Sequence, residues 1–315
     1  MSADELAGVA LSHLDQLVFD DAGVTKGDLV RYLDAVHERM LPGLRDRALS
    51  VVRARLGQAA FMQKNLPQHA PDWIRTTTVY ARASQREVRY PVCDDRRTLV
   101  WLANQRAVEY HPALMRVDDP HQSDLVLDLD PPDDVALEEG FRLAVAAALL
   151  VRRALTGAGL TGAVKTSGAK GVHVVVPLVE HDVPDVAAAT RALAARAAAL
   201  DPAVATTAFV RDERDGKVFV DSTRAGGATV VAAYSPRARP GLPVSFPVGW
   251  DRLEEVRPGD YTVRTAADRL DEAVWEPGEP QLLPADLIAE GHEIPLARVV
   301  AMHEGKRRKR ELSEG

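Results

Sequence analysis

The sequence contains very little cysteine and no long apolar run, and each of these absences excludes a class of protein. Cys93 is the single cysteine among 315 residues, which excludes a disulfide framework and a cysteine-rich zinc site. No stretch of about 18 apolar residues occurs, so no membrane span is predicted. The first residues, MSADELAGVA, lack the basic and then apolar pattern of a signal peptide. We therefore expect a cytoplasmic protein in a reducing compartment, without a membrane partner.

The sequence also lacks an excess of basic residues. The 39 Lys and Arg residues against 46 Asp and Glu residues give a net charge of −7, which argues against a protein that coats nucleic acid over its whole surface. A local basic groove is not excluded, because phosphate binding depends on where the basic side chains lie. The basic run from Lys306 to Arg310 is typical of a solvated tail.

Hydrophobic periodicity gives a first outline of the N-terminal part of the chain. Thr25 begins a capped helical pattern that continues to Pro42. Short strand patterns at 47–56 and 87–92 precede a helical pattern at 96–110. We predict a boundary after this part, between about 112 and 123.

The next part of the chain alternates between strand and helix patterns. The order from about residue 123 to residue 235 is strand, helix, strand, strand, helix, strand. The segments are DLVLDLD, LEEGFRLAVAAALLVRRAL, AVKTSGAKGVHVVVPL with two strands around a glycine loop, VPDVAAATRALAARAAAL, KVFVD, and a further strand pattern, ATVVAAYS. This order matches the split β-α-β arrangement of ferredoxin-like and RRM-like sheets. We predict an α+β fold in which an RRM-like sheet packs against an N-terminal α/β module.

The stretch SDLVLDLDPPDD places two acids on one face of a strand. Residues i and i+2 share a face, so Asp128 and Asp130 lie together while the leucines of this segment face the core. Two carboxylates this close need a cation or hydrogen-bond donors to offset their repulsion. A single D-x-D motif does not by itself indicate a metal site. Acidic residues are common where a strand ends in a loop, and that is the better interpretation of this motif alone.

A third acid favours a metal site instead. Asp221 ends the strand pattern KVFVD, and in a β-α-β-β-α-β sheet the first and third strands are expected to be neighbours. Three carboxylates on adjacent strands suit two ions of Mg²⁺ or Mn²⁺, which take oxygen ligands. Such a site activates a 3′ hydroxyl and stabilises a leaving pyrophosphate. Asp128, Asp130 and Asp221 are therefore the predicted metal ligands and catalytic residues.

The loop KTSGAKGVHVVV supplies groups that suit phosphate. Its glycines let backbone N–H groups approach an anion, and Ser167, Lys170 and His173 add a hydroxyl, a cation and an imidazole. Arg224 and Arg237 are further candidates for a triphosphate. The loop is not a P-loop, because it precedes a strand and lacks that spacing. A plain hairpin loop with a structural histidine is the alternative for this segment alone.

Taken together, these motifs resemble the polymerase domain of bacterial ligase D, within the archaeo-eukaryotic primase superfamily. The resemblance covers nearly the full length and rests on GVTKGDLVRYLDAV, FMQKNLPQHAPDWIRT, LVWLANQRAVEYHP, LVLDLDPP, TSGAKGVHVVVPL, KVFVDS and AYSPRARPG. Several motifs in one order are far more specific than any single motif. The resemblance implies a primase-polymerase fold, with an N-terminal module at 1–118, an RRM-like catalytic module and C-terminal extension at 119–300, and a flexible basic tail at 301–315.

The resemblance implies a template-directed nucleotidyltransferase, a DNA-directed polymerase or primase-polymerase. It implies two-metal catalysis with Mn²⁺ or Mg²⁺, a preference for ribonucleotides, and gap filling or end joining on DNA with Ku and a separate DNA ligase near the nucleoid. Asp128, Asp130 and Asp221 become the metal ligands, and a set of side chains binds the nucleoside triphosphate: Ser167, Lys170, His173, Arg224 and Arg237. Phe61 stacks on a template base, unless it packs in the core, and Lys26 and Lys64 meet DNA phosphate.

The sequence departs from the family at several positions. Gln16 stands where a lysine often helps to read a 5′ phosphate, Met62 replaces one ring of an aromatic pair, and Ser-Thr-Arg-Ala follows Asp221. The ligase motif K-x-D-G is missing, and Glu213 takes the lysine position in ERDG. We therefore expect a stand-alone polymerase that is not a ligase. The alternative is a DNA-end-binding accessory protein with weak or no catalysis, whereas a generic metal binder would make the motif series a coincidence.

Overall fold

The fold is a mixture of short strands and six α-helices within the residues that the computed structural model describes, 4–18, 23–81, 85–226, 228–272 and 275–296. The predicted tail at 301–315 lies outside these residues. The strands are β1 (Glu5–Leu6), β2 (Val9–Ala10), β3 (Leu49–Arg55), β4 (Gln58–Gln63), β5 (Thr76–Ala81), β6 (Arg86–Pro91), β7 (Ala107–Pro112), β8 (His121–Asp130), β9 (Ala163–Thr166), β10 (Val172–Asp182), β11 (Ala205–Thr206), β12 (Val218–Asp221) and β13 (Pro247–Val248). The helices are α1 (Lys26–Ala35), α2 (His37–Leu44), α3 (Arg96–Asn104), α4 (Leu137–Gly157), α5 (Val183–Leu200) and α6 (Ala285–Glu293). No helix in the described ranges is long and apolar enough to cross a membrane.

The chain forms two compact units, and each is assembled from separate segments. The first unit contains residues 1–121, 165–169 and 226–276, and the second contains the remaining segments, 122–164, 170–225 and 277–315. The predicted linear division at residues 118 and 300 stays a prediction. Two segments of its middle part, 165–169 and 226–276, belong to the first unit.

The first unit contains an antiparallel sheet with the strand order β4-β3-β7, a β5-β6 hairpin, and helices α1 and α3 in contact. The Thr25 hydroxyl accepts from the Asp28 N–H, and the Asp28 carboxylate accepts from the Thr25 N–H. These two contacts form a capping box and confirm the predicted cap at Thr25. The helical pattern that continues to Pro42 is divided at Val36, where ψ is 2°, into α1 and α2.

Two predicted elements of this unit are wrong. The helix predicted at 96–110 ends at Asn104, because Arg106 has a left-handed φ of 64° and the residues after it enter β7 beside β3. Valine and tyrosine in that segment suit a pleated sheet better than a helix. The pattern ATVVAAYS gives only an isolated bridge, between Ala113 and Thr229, in the described part of the chain.

The second unit is built on a sheet with the strand order β11-β12-β8-β10-β9, in which the end of β9 passes into the first unit. Helices α4 and α5 pack on this sheet. Leu125, Leu127 and Leu129 are fully buried, as the alternation in β8 predicts. Val126 on the opposite face is also buried. Both faces of β8 are therefore covered along the part of the strand that directly precedes Asp128.

Candidate active site

Two neighbouring strands of the second unit bring the three predicted acids together. Strand β12 pairs antiparallel with β8, and the register places Asp221 directly opposite Asp128. Asp130 follows two residues later on the same face as Asp128. Carboxylate oxygens of the three residues all lie within 4.8 Å of one another. The first and third strands, β8 and β10, are neighbours as expected, but Asp221 lies on the fourth strand, β12, which is the other neighbour of β8.

Two basic side chains contact the cluster. His173 Nε2 lies 3.2 Å from Asp128 Oδ1. The Arg224 guanidinium reaches both strands, with Nη2 at 2.9 Å from Asp128 Oδ2 and Nε at 3.3 Å from Asp221 Oδ2. Both residues were predicted to meet a triphosphate. In this structure they compensate carboxylates, and their contact with a nucleotide stays a prediction.

The charges of the cluster are unevenly balanced. Burial alone would raise the pKa of Asp128, but the His173 imidazole and the Arg224 guanidinium hold that pKa well below its usual range. Burial raises the pKa of Asp130 to about 7, and the nearby Asp128 and Asp221 carboxylates add to the effect. The protein therefore offers less compensation at Asp130 than at Asp128.

The donor set fits a divalent cation of the Mg²⁺ or Mn²⁺ type. All three residues supply carboxylate oxygens, which are the ligands that these ions prefer. Burial and the close spacing of the carboxylates disfavour the ionised form of Asp130 and so raise its pKa, and a bound cation would offset this repulsion. Asp128, Asp130 and Asp221 are the residues that would hold such an ion.

Sequence reasoning missed Thr223 as a partner of Asp221. Its hydroxyl and its backbone N–H both donate to Asp221 Oδ1, at 2.6 and 2.8 Å. The signal was present, because an aspartate commonly accepts from the backbone two residues further along. This turn orients the Asp221 carboxylate from its own chain segment.

Lys170, the cation of the glycine loop, is engaged by backbone carbonyls. Its ammonium donates to the carbonyl oxygens of Asp133 at 2.7 Å, Val135 at 3.0 Å and Pro132 at 3.4 Å. These contacts tie Lys170 to the segment that follows the D-x-D motif. Its predicted contact with a triphosphate stays a prediction.

Ser167 and Arg237 lie together in the first unit. Arg237 Nη1 donates to the Ser167 carbonyl oxygen at 2.5 Å, and both residues are largely buried. Gly168 has a left-handed φ of 67°, and a Cβ there would lie 2.6 Å from Arg237 Cγ and 2.9 Å from the Ser245 backbone nitrogen. The glycine is therefore required both for the turn and for the close approach of Arg237.

The Gly168 position gives a testable prediction. Gly168→Ala should destabilise the first unit by about 2 kcal/mol or more, because left-handed backbone strain is joined by contact with Arg237 and the Ser245 backbone. Gly57→Ala is the matched control, since Gly57 has a similar φ of 72° and an added Cβ there would meet no described atom within 4 Å. Urea unfolding of both variants measures the difference, and equal losses would contradict the steric role of Gly168.

A buried carboxylate, Glu109, is a further partner of Arg237 that sequence reasoning missed. Glu109 Oε2 lies 3.1 Å from Arg237 Nε and 2.8 Å from His111 Nε2, and Oε1 accepts from the Ala238 N–H at 2.8 Å. Burial opposes ionisation, yet the His111 and Arg237 contacts and the Ala238 N–H lower the pKa of Glu109 to about 2. The E-x-H spacing in β7 puts Glu109 and His111 on one strand face and was the available signal.

The lowered pKa of Glu109 predicts a loss of stability in acid. A carboxyl whose pKa is depressed in the folded state stabilises above its unfolded pKa of about 4.5, and this contribution disappears as the pH falls through about 2. The loss should be on the order of 3 kcal/mol. Urea unfolding at several pH values measures the free energy of unfolding of the wild type and of Glu109→Gln. Between pH 4.5 and pH 2 the variant should lose less stability than the wild type, and equal losses in the two proteins would contradict the prediction.

The three predicted DNA contacts have different environments in the first unit. Phe61 and Met62 on β4 are exposed, at 53% and 47%, which excludes core packing for Phe61. Lys64 is exposed after the same strand. Lys26 is buried, and its ammonium donates to the Asn104 carbonyl oxygen at 3.1 Å. All three DNA contacts stay predictions, and Lys26 does not lie on the surface of this structure.

The environment of Lys26 is basic. Burial lowers the pKa of Lys26 to about 8, with a smaller contribution from the nearby Arg106 guanidinium. Arg106 also donates to the Gln16 side chain. Gln16, which replaces the family's frequent lysine, is thus held by an arginine that sequence reasoning did not consider.

The three carboxylates beside two basic side chains have the donor types of a site that could hold a divalent cation. Comparison with known proteins gives the family. Residues 25–276 match the model described as LigD, primase-polymerase domain, and the chain belongs to this family.

Curated relatives agree with this assignment. The chain is 31% identical over 263 residues to the bifunctional non-homologous end joining protein LigD of Bacillus subtilis, covering 82% of this chain and 41% of that protein. It is 34% identical over 263 residues to the multifunctional non-homologous end joining DNA repair protein LigD of Mycobacterium tuberculosis, covering 78% and 34% respectively. The chain therefore spans less than half the length of these relatives.

The likeness to a solved structure covers most of both chains. The polymerase domain from Mycobacterium tuberculosis ligase D, solved in complex with DNA, matches with a TM-score of 0.76 and 29% identity. The match covers 84% of this chain and 94% of that one. The mixed α/β fold is thus that of a LigD polymerase domain.

Proposed function

We propose that this chain is a template-directed nucleotidyltransferase that adds nucleotides, with a preference for ribonucleotides, to DNA 3′ ends during gap filling or end joining. The observation that carries the proposal is the cluster of Asp128, Asp130 and Asp221 on paired strands, in a chain of the LigD primase-polymerase domain family. The order of strands around the cluster also supports an RRM-like arrangement of the catalytic sheet.

The carboxylates would hold two ions of Mn²⁺ or Mg²⁺. When bound, such ions activate a 3′ hydroxyl and neutralise charge on the triphosphate. The Thr223 hydroxyl and N–H orient Asp221, and the β12-β8 register fixes Asp221 opposite Asp128. Arg224 neutralises two of the three carboxylates and supplies a partly exposed cation beside the site, since its side chain is 35% exposed.

The nucleotide and DNA contacts are part of the same proposal. Ser167, Lys170, His173, Arg224 and Arg237 would bind the triphosphate. Phe61 suits stacking on a template base because it is exposed on β4, with the Arg53 guanidinium 5.8 Å from its ring. Lys64 would meet a phosphate, and Lys26 would do so only after a change in its surroundings. DNA, nucleoside triphosphates, Ku and a separate ligase are the proposed partners, and the solved relative was determined in complex with DNA.

A second function, a DNA-end-binding accessory protein with weak or no catalysis, is favoured by one observation. The Arg224 guanidinium ion-pairs with two of the three acids, so a divalent cation that uses those oxygens must displace it. In that case Asp128 and Asp221 would be paired internally and would serve structure instead of catalysis.

Primer extension separates the two functions. A fluorescent primer-template is incubated with the protein, each ribonucleoside or deoxyribonucleoside triphosphate, and Mn²⁺ or Mg²⁺, with a chelator as the control. We expect metal-dependent extension that is faster with ribonucleotides. Binding of the DNA without extension under any of these conditions would reject the polymerase and favour the accessory protein.

A further inference from the structure

Glu109 joins two potential ligand-binding side chains through one carboxylate. It lies in β7 and is 7% exposed. Its Oε2 contacts both the His111 imidazole and the Arg237 guanidinium, and its Oε1 accepts from the Ala238 N–H. A buried carboxylate with two hydrogen-bond donors and an ion-paired guanidinium is held rigidly, because moving it would leave polar and charged groups without partners.

The position of Arg237 depends on this carboxylate. A guanidinium has five N–H donors in a planar fork, and here Nε faces Glu109 while Nη1 donates to the Ser167 carbonyl oxygen. Nη2 makes no hydrogen bond to the described residues. These two contacts leave the Nη2 group as a donor that can bind an anion without further ordering of the side chain.

The same carboxylate defines the protonation of His111. A carboxylate oxygen 2.8 Å from Nε2 requires the proton on that nitrogen. Nδ1 is then the acceptor of a neutral ring or the second donor of a charged one. Glu109 thus sets the orientation of an imidazole and a guanidinium at once.

We propose that Glu109 is a positioning residue, which fixes the Arg237 guanidinium, together with the His111 imidazole, for binding the triphosphate of the incoming nucleotide. The proposal rests on the proposed nucleotidyltransferase function and names a residue that acts through others, without contact to the nucleotide. Its role predicts an effect on nucleotide affinity much larger than the effect on the rate at saturating nucleotide.

The test compares nucleotide binding in three variants. Glu109→Gln keeps the shape but loses the charge, Arg237→Ala removes the guanidinium, and the double variant combines them. Glu254→Gln, an exposed carboxylate of the same unit, is the matched control. Calorimetry with a non-hydrolysable ribonucleoside triphosphate and Mn²⁺ gives the Kd, and primer extension gives KM and kcat.

We expect Glu109→Gln to raise the Kd and KM about tenfold, with kcat changed less than about threefold, since the ion pair with Glu109 helps to fix the guanidinium. Glu254→Gln should change neither constant. In the Arg237→Ala background, Glu109→Gln should weaken binding little further, because the two residues act as one. Glu109→Asp keeps the charge and is the second variant to test if Glu109→Gln does not fold. If Glu109→Gln folds, Glu109→Asp should bind the nucleotide more tightly than Glu109→Gln does.

The outcomes separate this proposal from the function on which it rests. Unchanged nucleotide affinity in Glu109→Gln, with weakened affinity in Arg237→Ala, would overturn the positioning role and leave the polymerase intact. Additive losses in the double variant would overturn it as well. A wild-type protein that neither binds a triphosphate nor extends a primer would overturn both.

Discussion

Asp128→Ala is expected to abolish nucleotide addition, with a fall in primer-extension rate of about a thousandfold or more. Asp128 lies opposite Asp221 and within the three-carboxylate cluster, so its loss would remove one of the three side chains that would hold the proposed ions. Metal ions contribute several kcal/mol to such reactions, and about 4 kcal/mol corresponds to roughly a thousandfold change in rate. Extension of a fluorescent primer-template at saturating nucleotide and Mn²⁺ measures the effect.

The fold and DNA binding should survive this substitution. Removing Asp128 leaves His173 and Arg224 without one partner, but it also relieves repulsion with Asp130 and Asp221. Asp133→Ala is the matched control, because Asp133 is an exposed acid near the same strand end that pairs with Arg211. Near-normal extension by Asp128→Ala would reject the assignment of the metal site, and loss of extension in Asp133→Ala would show that the effect is not specific.

The alternation in β8 shows how much of this site could be predicted from sequence. A period of two fixes which residues share a face, so the buried leucines and the common face of Asp128 and Asp130 followed directly. The pairing of β12 with β8 did not follow from any local pattern. Strand pairing depends on the topology of the whole sheet. The three acids were predicted correctly, but Asp221 was expected on the third strand and lies on the fourth, β12.

Lys26 and Lys170 show why the roles of cations were harder to predict. A lysine in a sequence carries no mark of its burial, and tertiary contacts place Lys26 against the Asn104 carbonyl oxygen. Lys170 likewise meets three backbone carbonyls that are distant in sequence. Arginine and lysine are long and flexible, so their partners depend on the folded surroundings. The pairing of Arg237 with Glu109 could not be predicted for the same reason. The E-x-H spacing indicates only that Glu109 and His111 share a face of β7.

Arg224→Gln should destabilise the metal-free protein and leave the metal-loaded protein much less affected. Arg224 bridges Asp128 and Asp221, and breaking a buried ion pair by removing one partner destabilises by about 3–5 kcal/mol. Because the Arg224 side chain is 35% exposed, solvent screening lowers the expected loss to about 2 kcal/mol. A divalent cation bound to the folded cluster would take over the compensation of charge.

Urea unfolding in a chelator and in Mn²⁺ measures this difference. Arg211→Gln is the matched control, since Arg211 is an exposed arginine of the same unit that pairs with Asp133 outside the cluster. We expect Mn²⁺ to stabilise Arg224→Gln more than the wild type or Arg211→Gln, because the guanidinium no longer competes for the same carboxylate oxygens. Equal stabilisation of all three proteins by Mn²⁺ would show that Arg224 and the metal do not share ligands, and the cluster would then bind its cation without displacing the arginine.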